Sequence, residues 1–233
     1  MGAALSKMPL RRVATEPQPS ARQLAVEHWN RTPLFLAEEE RYSIYPWLYE
    51  AAEFGHHRGE RVLEIGSGTG CDLFQFAKHG ALAYGIDVTP AHLKLARQRL
   101  GGRAQVLFGD ATSIPFASAT FDYVYSHGVL HHIDHPEKVV HEIIRVLRPG
   151  GRFNVHVYSL FSYFTAWSIF RHPLDWKRRI ENSRDPVYIN LYTARKLRRL
   201  FAPIKLDVRK YHSRISLEPL LGWYLVAKGA KPS

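Results

Sequence analysis

Apolar and polar positions along the middle of the chain follow two periods in turn, and the changeovers mark its elements. Arg61-Val62-Leu63-Glu64-Ile65 is a short apolar run that predicts a buried strand, and Gly66-Ser67-Gly68-Thr69-Gly70 ends it. Leu73, Phe74, Phe76 and Ala77 then carry a helical pattern, and residues 81–87 return to a strand. Thr89-Pro90 opens the next helix, with Thr as N-cap and Pro at the first helical position. Strands are predicted over 104–108 and 121–126. A helix is predicted over 136–147, with Val139, Val140, Ile143, Ile144 and Leu147 on one face. Arg148-Pro149-Gly150-Gly151 stops it and turns the chain into a strand over 152–158; two late strands fit 205–211 and 221–228. Residues 20–55 read as two helices broken near Thr32-Pro33, and residues 1–20 as a mobile tail. Strands joined by helical crossovers predict an α/β fold, a doubly wound and mostly parallel sheet.

Composition narrows the class. The chain has 233 residues, of which 45% are hydrophobic and 23% charged, which suits one folded domain and excludes a disordered chain, a collagen and a coiled coil. A single cysteine, Cys71, excludes an internal disulfide framework and a multi-cysteine zinc site. No run of 18 apolar residues appears, so no membrane-spanning helix is expected. No signal-peptide core follows the start, and a cytoplasmic protein is the default expectation. The start Met1-Gly2-Ala3-Ala4-Leu5-Ser6 matches the N-myristoylation pattern, which acts only in a eukaryotic host. The net charge of +11 changes the picture more. Residues 1–151 hold 16 basic and 16 acidic residues, whereas residues 152–233 hold 16 basic against 5 acidic. A field so placed would attract anionic lipid, nucleic acid or an acidic small molecule, or form a solvated basic face.

The candidate chemistry starts at the glycine loop. Glu64-x-Gly66-x-Gly68-x-Gly70 lies between a predicted strand and a predicted helix, where backbone approaches a ligand closely. Asp87 stands seventeen residues beyond Gly70, at the end of the second strand, where a carboxylate can accept both ribose hydroxyls of an adenosine ligand. A dinucleotide loop would need a third glycine at position 71, where this chain has Cys71, and no Gly-x-x-x-x-Gly-Lys-Ser/Thr loop is present. A diphosphate cofactor is therefore disfavoured.

Further motifs occur in order: Gly85-Ile86-Asp87-Val88-Thr89-Pro90, Gly109-Asp110-Ala111, Phe121-Asp122-Tyr123-Val124-Tyr125-Ser126, Leu130-His131-His132 and Arg145 to Gly151. With the glycine loop they make residues 60–158 resemble the class I S-adenosylmethionine-dependent methyltransferases, within which the chain looks most like the ubiquinone/menaquinone-biosynthesis type and its small-molecule relatives. The resemblance implies a Rossmann-like methyltransferase sheet of seven strands with a late antiparallel strand, N-terminal helices and an acceptor lid after the fifth strand. It implies S-adenosylmethionine as cofactor, S-adenosylhomocysteine as product and no metal. Glu64, Gly66, Ser67, Gly68 and Gly70 would hold the methionine and ribose portions. Asp87 would take the ribose hydroxyls and Val88 pack on the adenine. Asp110 would accept from the adenine amino group beside Ala111, and Ser126 would contact the methionine part. On this reading residues 21–233 are one domain: a helical cap (21–58), a cofactor core (60–158), a lid (159–200) and the last strands (201–233).

The acceptor half is less defined. Ligands in open α/β sheets sit beyond the carboxyl ends of the strands, which brings His127, His131, His156, Tyr158 and Tyr211 near the expected pocket. Histidine suits a general base at neutral pH, and His156 or His131 is the candidate; alternatively such a histidine only shapes the pocket. The insert from Leu160 to Phe170, followed by Lys177-Arg178-Arg179, would place Phe164 and Trp167 over an apolar or aromatic acceptor, with Tyr42 from the cap. It could also sit in a lipid headgroup layer. The expected function is methyl transfer to a small aromatic or isoprenoid-like acceptor. Its rivals are an RNA or protein methyltransferase recruited by the basic third, and a non-catalytic cofactor-binding partner.

Overall fold

The computed structural model describes residues 21–31, 33, 37–180, 188–212 and 218–233; the tail over 1–20 and its myristoylation pattern lie outside them. The core is a seven-stranded sheet. Its strands are β1 (Arg61–Ile65), β2 (Leu82–Asp87), β3 (Gln105–Phe108), β4 (Phe121–His127), β5 (Leu147–Tyr158), β6 (Asp207–Tyr211) and β7 (Tyr224–Ala230), in the order β3-β2-β1-β4-β5-β7-β6. β1 to β5 run parallel, and β7 lies antiparallel to both β5 and β6. The expected sheet is therefore present with its antiparallel strand. β1 is central and covered on both faces, and four of its five residues are buried. That explains an apolar run without alternation.

Helices pack on both faces. The N-terminal segment forms α1 (Ala21–Arg31), α2 (Glu38–Ile44) and α3 (Leu48–Ala52). α4 (Cys71–Lys78) starts at Gly70, whose φ of 80° is open mainly to glycine. A Cβ on Gly70 would stand 3.2 Å from the Ala96 Cβ, so the glycine also lets α4 approach α5 (Pro90–Leu100). α5, α4 and α3 cover one face through Leu48, Leu73, Phe76, Leu93 and Ala96. α6 (Pro136–Val146) covers the other, with Val139, Val140, Ile143 and Val146 buried. Leu147 of the expected helical face belongs instead to β5, where it pairs with Phe121 ahead of a register shift.

Beyond β5 lie α7 (Tyr163–Arg171), α8 (Trp176–Ile180), α9 (Ala194–Leu200) and α10 (Glu218–Leu221). Ser162 caps α7 by accepting from the Thr165 amide at 3.1 Å, and Thr193 caps α9 in the same way. The segment read as a lid over 159–200 spans two environments. α7 exposes Trp167, Ile169 and Phe170, whereas Tyr192 and Leu197 are wholly buried against the main core and Phe201 stacks on Phe153 at 4.8 Å. The last part of that segment is thus a core crossover. Among the described residues no helix is long and apolar enough to cross a membrane.

Candidate active site

The sheet order reverses between β1 and β4, so the crossovers after these strands leave on opposite sides and open a crevice at their carboxyl ends. A cavity of about 1010 Å³ occupies it. Small-molecule sites run to roughly 300–1,000 Å³, so this one has room for a nucleoside-sized ligand and a second molecule. Its floor is the loop after β1, its far wall comes from residues 86–92 and 109–112, and its roof includes Trp29 of α1, Arg41 of α2 and Tyr45 at the end of α2.

One end is built from backbone and carboxylates. The amides of Gly66 and Ser67 both donate to the Ile86 carbonyl, at 2.8 and 3.0 Å, which ties the loop to β2. Gly66 has φ +68°, and a Cβ there would lie 2.1 Å from Val129 Cγ2, so only glycine fits. Asp87 accepts from the Gly68 amide through Oδ2 and from the Thr89 amide through Oδ1, each at 2.8 Å. Its carboxylate thus clamps the loop and still has acceptor capacity. Asp110 accepts from the Thr112 amide and hydroxyl at 2.8 and 2.7 Å, so it shapes a turn while lining the cavity. Glu64 is buried, accepts from the Leu73 amide, and its Oε2 has no partner; Ser67 Oγ is also buried without one. Burial pushes the Glu64 carboxyl well above its usual range, and the charge of Asp72 adds to that.

Beneath this end lies a group that the sequence reading missed. Arg41 donates from Nε and Nη2 to the two oxygens of Asp72, at 2.7 Å each. The Tyr42 hydroxyl donates to Oδ1 at 2.9 Å and the Tyr125 hydroxyl to Oδ2 at 3.1 Å. Burial alone would raise the Asp72 carboxyl; Arg41 and these donors overcome it and hold it well below the usual range. Asp72 sits in the first turn of α4, where an acid reads as a partner of the helix dipole, so its spacing gave no sign of a distant arginine.

The other end of the cavity is ring-lined, by Tyr45, His127, Tyr158 and Tyr224. His127 stacks on Tyr224 at 5.0 Å. Burial, with the Arg41 charge second, brings His127 down to about 3. Other lining residues, not among the candidate site residues of the sequence, are Trp29, His92, Val129, His132 and Lys138.

The residues singled out in the sequence therefore divide. Glu64, Gly66, Ser67, Gly68, Asp87, Val88, Asp110, Ala111, His127 and Tyr158 line the cavity. Gly70 and Ser126 do not; Gly70 serves helix packing, and the Ser126 hydroxyl donates to the Ile65 carbonyl at 3.4 Å. Tyr42 is held on Asp72, Tyr211 stacks on Trp47 at 5.2 Å, and Phe164 packs on Trp223 at 4.9 Å. Trp167 is 52% exposed on the outer side of α7. The two candidate bases need correction. His156 and His131 are completely buried and outside the cavity wall, and burial sets both well below the usual range. His131 lies stacked on Tyr158 at 3.7 Å. Neither stands where it could reach an acceptor directly.

Residues 63–155 match the family described as a methyltransferase domain. A demethylmenaquinone methyltransferase of Clavibacter sepedonicus is 36% identical over 103 residues, which is 43% of this chain and 42% of that protein. The chain spans less than half the length of the first curated relatives it matches. The structure of a possible histamine N-methyltransferase of Thermotoga maritima superposes with a TM-score of 0.62 at 21% identity, covering 88% of this chain and 99% of that one. The cyclase SpnF superposes with a TM-score of 0.64 at 19% identity, covering 92% and 97%. The fold alone thus carries more than one chemistry. The glycine loop and the Asp87 clamp both fall inside residues 63–155, the segment that matches the methyltransferase domain.

Proposed function

We propose that the chain transfers a methyl group from S-adenosylmethionine to a small acceptor that is aromatic or isoprenoid-like. The observation that carries this is one continuous cavity with a glycine and carboxylate end and a ring-lined end. The unpartnered Oε2 of Glu64 suits the ammonium of a methionine portion, and the Ser67 hydroxyl lies beside it in the same loop. Gly66 and Gly68 would let backbone approach that portion, with Gly70 and Ser126 supporting from behind. Asp87 would take the ribose hydroxyls, and Val88, Asp110 and Ala111 would surround the adenine. When bound, the cofactor supplies an electrophilic methyl group on a sulfonium. The chain's part is to bind, align and keep out water, with Trp29, Tyr45 and Arg41 as the roof. Tyr45, His127, Tyr158 and Tyr224 would form the acceptor wall. The name of the demethylmenaquinone relative, and that of a sterol 4-C-methyltransferase of Caenorhabditis elegans 32% identical over 124 residues, favour an apolar ring system.

A second reading concerns location. Phe161, Trp167, Phe170 and Leu174 are exposed beside Arg171 and Lys177, and Leu174 is fully so. Aromatics flanked by cations suit a peripheral contact with anionic lipid, from which an apolar acceptor could be drawn. Cosedimentation with vesicles containing phosphatidylserine, lost on Phe170→Ser/Leu174→Ser, would support it; equal binding by both proteins would refute it.

The function is tested with methyl-labelled S-adenosylmethionine and host extract separated into solvent-soluble, protein and RNA fractions. Label in the solvent fraction is expected. Label in RNA or protein would replace the small-molecule reading with the macromolecular one. Tight cofactor binding with no label in any fraction would favour the non-catalytic partner.

A further inference from the structure

A line of hydrogen bonds runs behind the ring-lined end of the cavity and has its terminus in it. Asn154 Nδ2 lies 2.7 Å from the Ala51 carbonyl oxygen. Asn154 Oδ1 lies 2.9 Å from His156 Nε2, and His156 Nδ1 lies 3.0 Å from His127 Nδ1. Asn154 and His156 are both wholly buried. His127 completes the line and is part of the cavity wall.

The chemistry of each partner fixes the protons. A carbonyl oxygen only accepts, so the amide nitrogen of Asn154 must face Ala51 and its oxygen must face His156. That oxygen also only accepts, so His156 carries its proton on Nε2. A fully buried imidazole without a carboxylate partner stays neutral, so His156 Nδ1 is a lone pair. His127 must then donate from Nδ1. It too is neutral, which leaves its Nε2 unprotonated. His127 makes no other hydrogen bond among the described residues. The tautomer is thus set about three residues away, by a backbone carbonyl on α3.

We infer that His127 Nε2 is a hydrogen-bond acceptor presented to the cavity, and that the chain's methyl acceptor carries an O–H or N–H group at or beside the atom that is methylated. This rests on the small-molecule reading for the identity of the ligand, but the tautomer does not. Asn154 and His156 are positioning residues in this scheme. They turn the ring and hold its proton on the far side, so that the lone pair is available to orient a protic group. Tyr45 and Tyr224 around His127 give the same group a flat apolar setting.

The test uses the full chain labelled with ¹⁵N-histidine and long-range proton–nitrogen NMR, with the His127 signals assigned by their absence in His127→Phe. The expected spectrum at pH 7 has His127 protonated on Nδ1 and bare on Nε2, and His156 protonated on Nε2. Phenol and anisole are then titrated as probes, since they differ in one O–H. Phenol is expected to bind at least tenfold tighter and to shift the His127 Nε2 signal. A His127 protonated on Nε2 in the resting protein would overturn the inference. So would equal binding of the two probes, or no saturable binding of phenol. Asn154→Leu is expected to release the constraint and populate both His127 tautomers; if that variant does not fold, the wild-type spectrum still decides. None of these measurements needs S-adenosylmethionine, so their failure is separable from failure of methyl transfer.

Discussion

Arg41→Met removes the only cation bonded to Asp72 among the described residues, and its cost can be worked from the contacts. Asp72 has a side chain 1% exposed, and Arg41 one 15% exposed, joined by two bonds of 2.7 Å. Stripping the partner from a buried ion pair costs about 3–5 kcal/mol. The hydroxyls of Tyr42 and Tyr125 remain as donors, which places the expected loss near the low end, about 3 kcal/mol. With an m-value of about 2–3 kcal/mol/M, the urea midpoint should fall by about 1–1.5 M, read by circular dichroism. Arg41→Met/Asp72→Leu should recover about 1–2 kcal/mol, because it leaves two unpaired phenols in place of a buried charge. The pH dependence gives a second readout. Asp72 is held below its unfolded value of about 3.9, so its contribution is present above that value and is lost as pH falls through the folded value. The gap between wild type and Arg41→Met should therefore narrow below about pH 4. A loss under about 1 kcal/mol at pH 7, or a double variant no better than the single, would refute the view that this pair ties α2 to the glycine-loop helix.

Asp87→Ala should weaken S-adenosylhomocysteine binding by about 1–3 kcal/mol in calorimetry, since it removes the loop clamp together with the proposed ribose acceptor; unchanged affinity would sink that assignment. Gly66→Ala drives a Cβ into Val129 at a positive φ, and should abolish measurable S-adenosylhomocysteine binding or lower the melting temperature by several degrees. The methyl-transfer rate should show no inflection from His127 between about pH 5 and 8, because burial brings it down to about 3 and keeps it neutral throughout; an inflection near 6.5 lost in His127→Phe would contradict it.

Much of the glycine and carboxylate end of the cavity was legible in order along the chain. The strand at 61–65, the glycine loop, Asp87 and Asp110 are local in sequence, and each follows from a requirement met within a few residues: a covered strand, a close backbone approach, a carboxylate at a strand end. The register of β1 with β2 and β4 then brings these pieces to one crevice. The ring-lined end was not legible in that way. Side-chain type marked His156 and His131 as bases, but whether a histidine faces a cavity or the interior depends on which neighbours cover it, and both are covered completely. The resemblance implied a lid carrying Trp167 and Phe164, yet α7 turns Trp167 outward and sets Phe164 on Trp223.

What the sequence by itself determined is the α/β alternation, the glycine loop and the acid that follows it, because strand and helix periods and glycine geometry are properties of short stretches. What only the tertiary structure decided depends on contacts between distant segments. Arg41 meets Asp72 across 31 residues. Ala51 sets the proton of His127 through Asn154 and His156, across bonds spanning 103, 2 and 29 residues. Burial and charge at those sites come from packing of the cap on the sheet, and no local pattern encodes which side chains that packing will enclose.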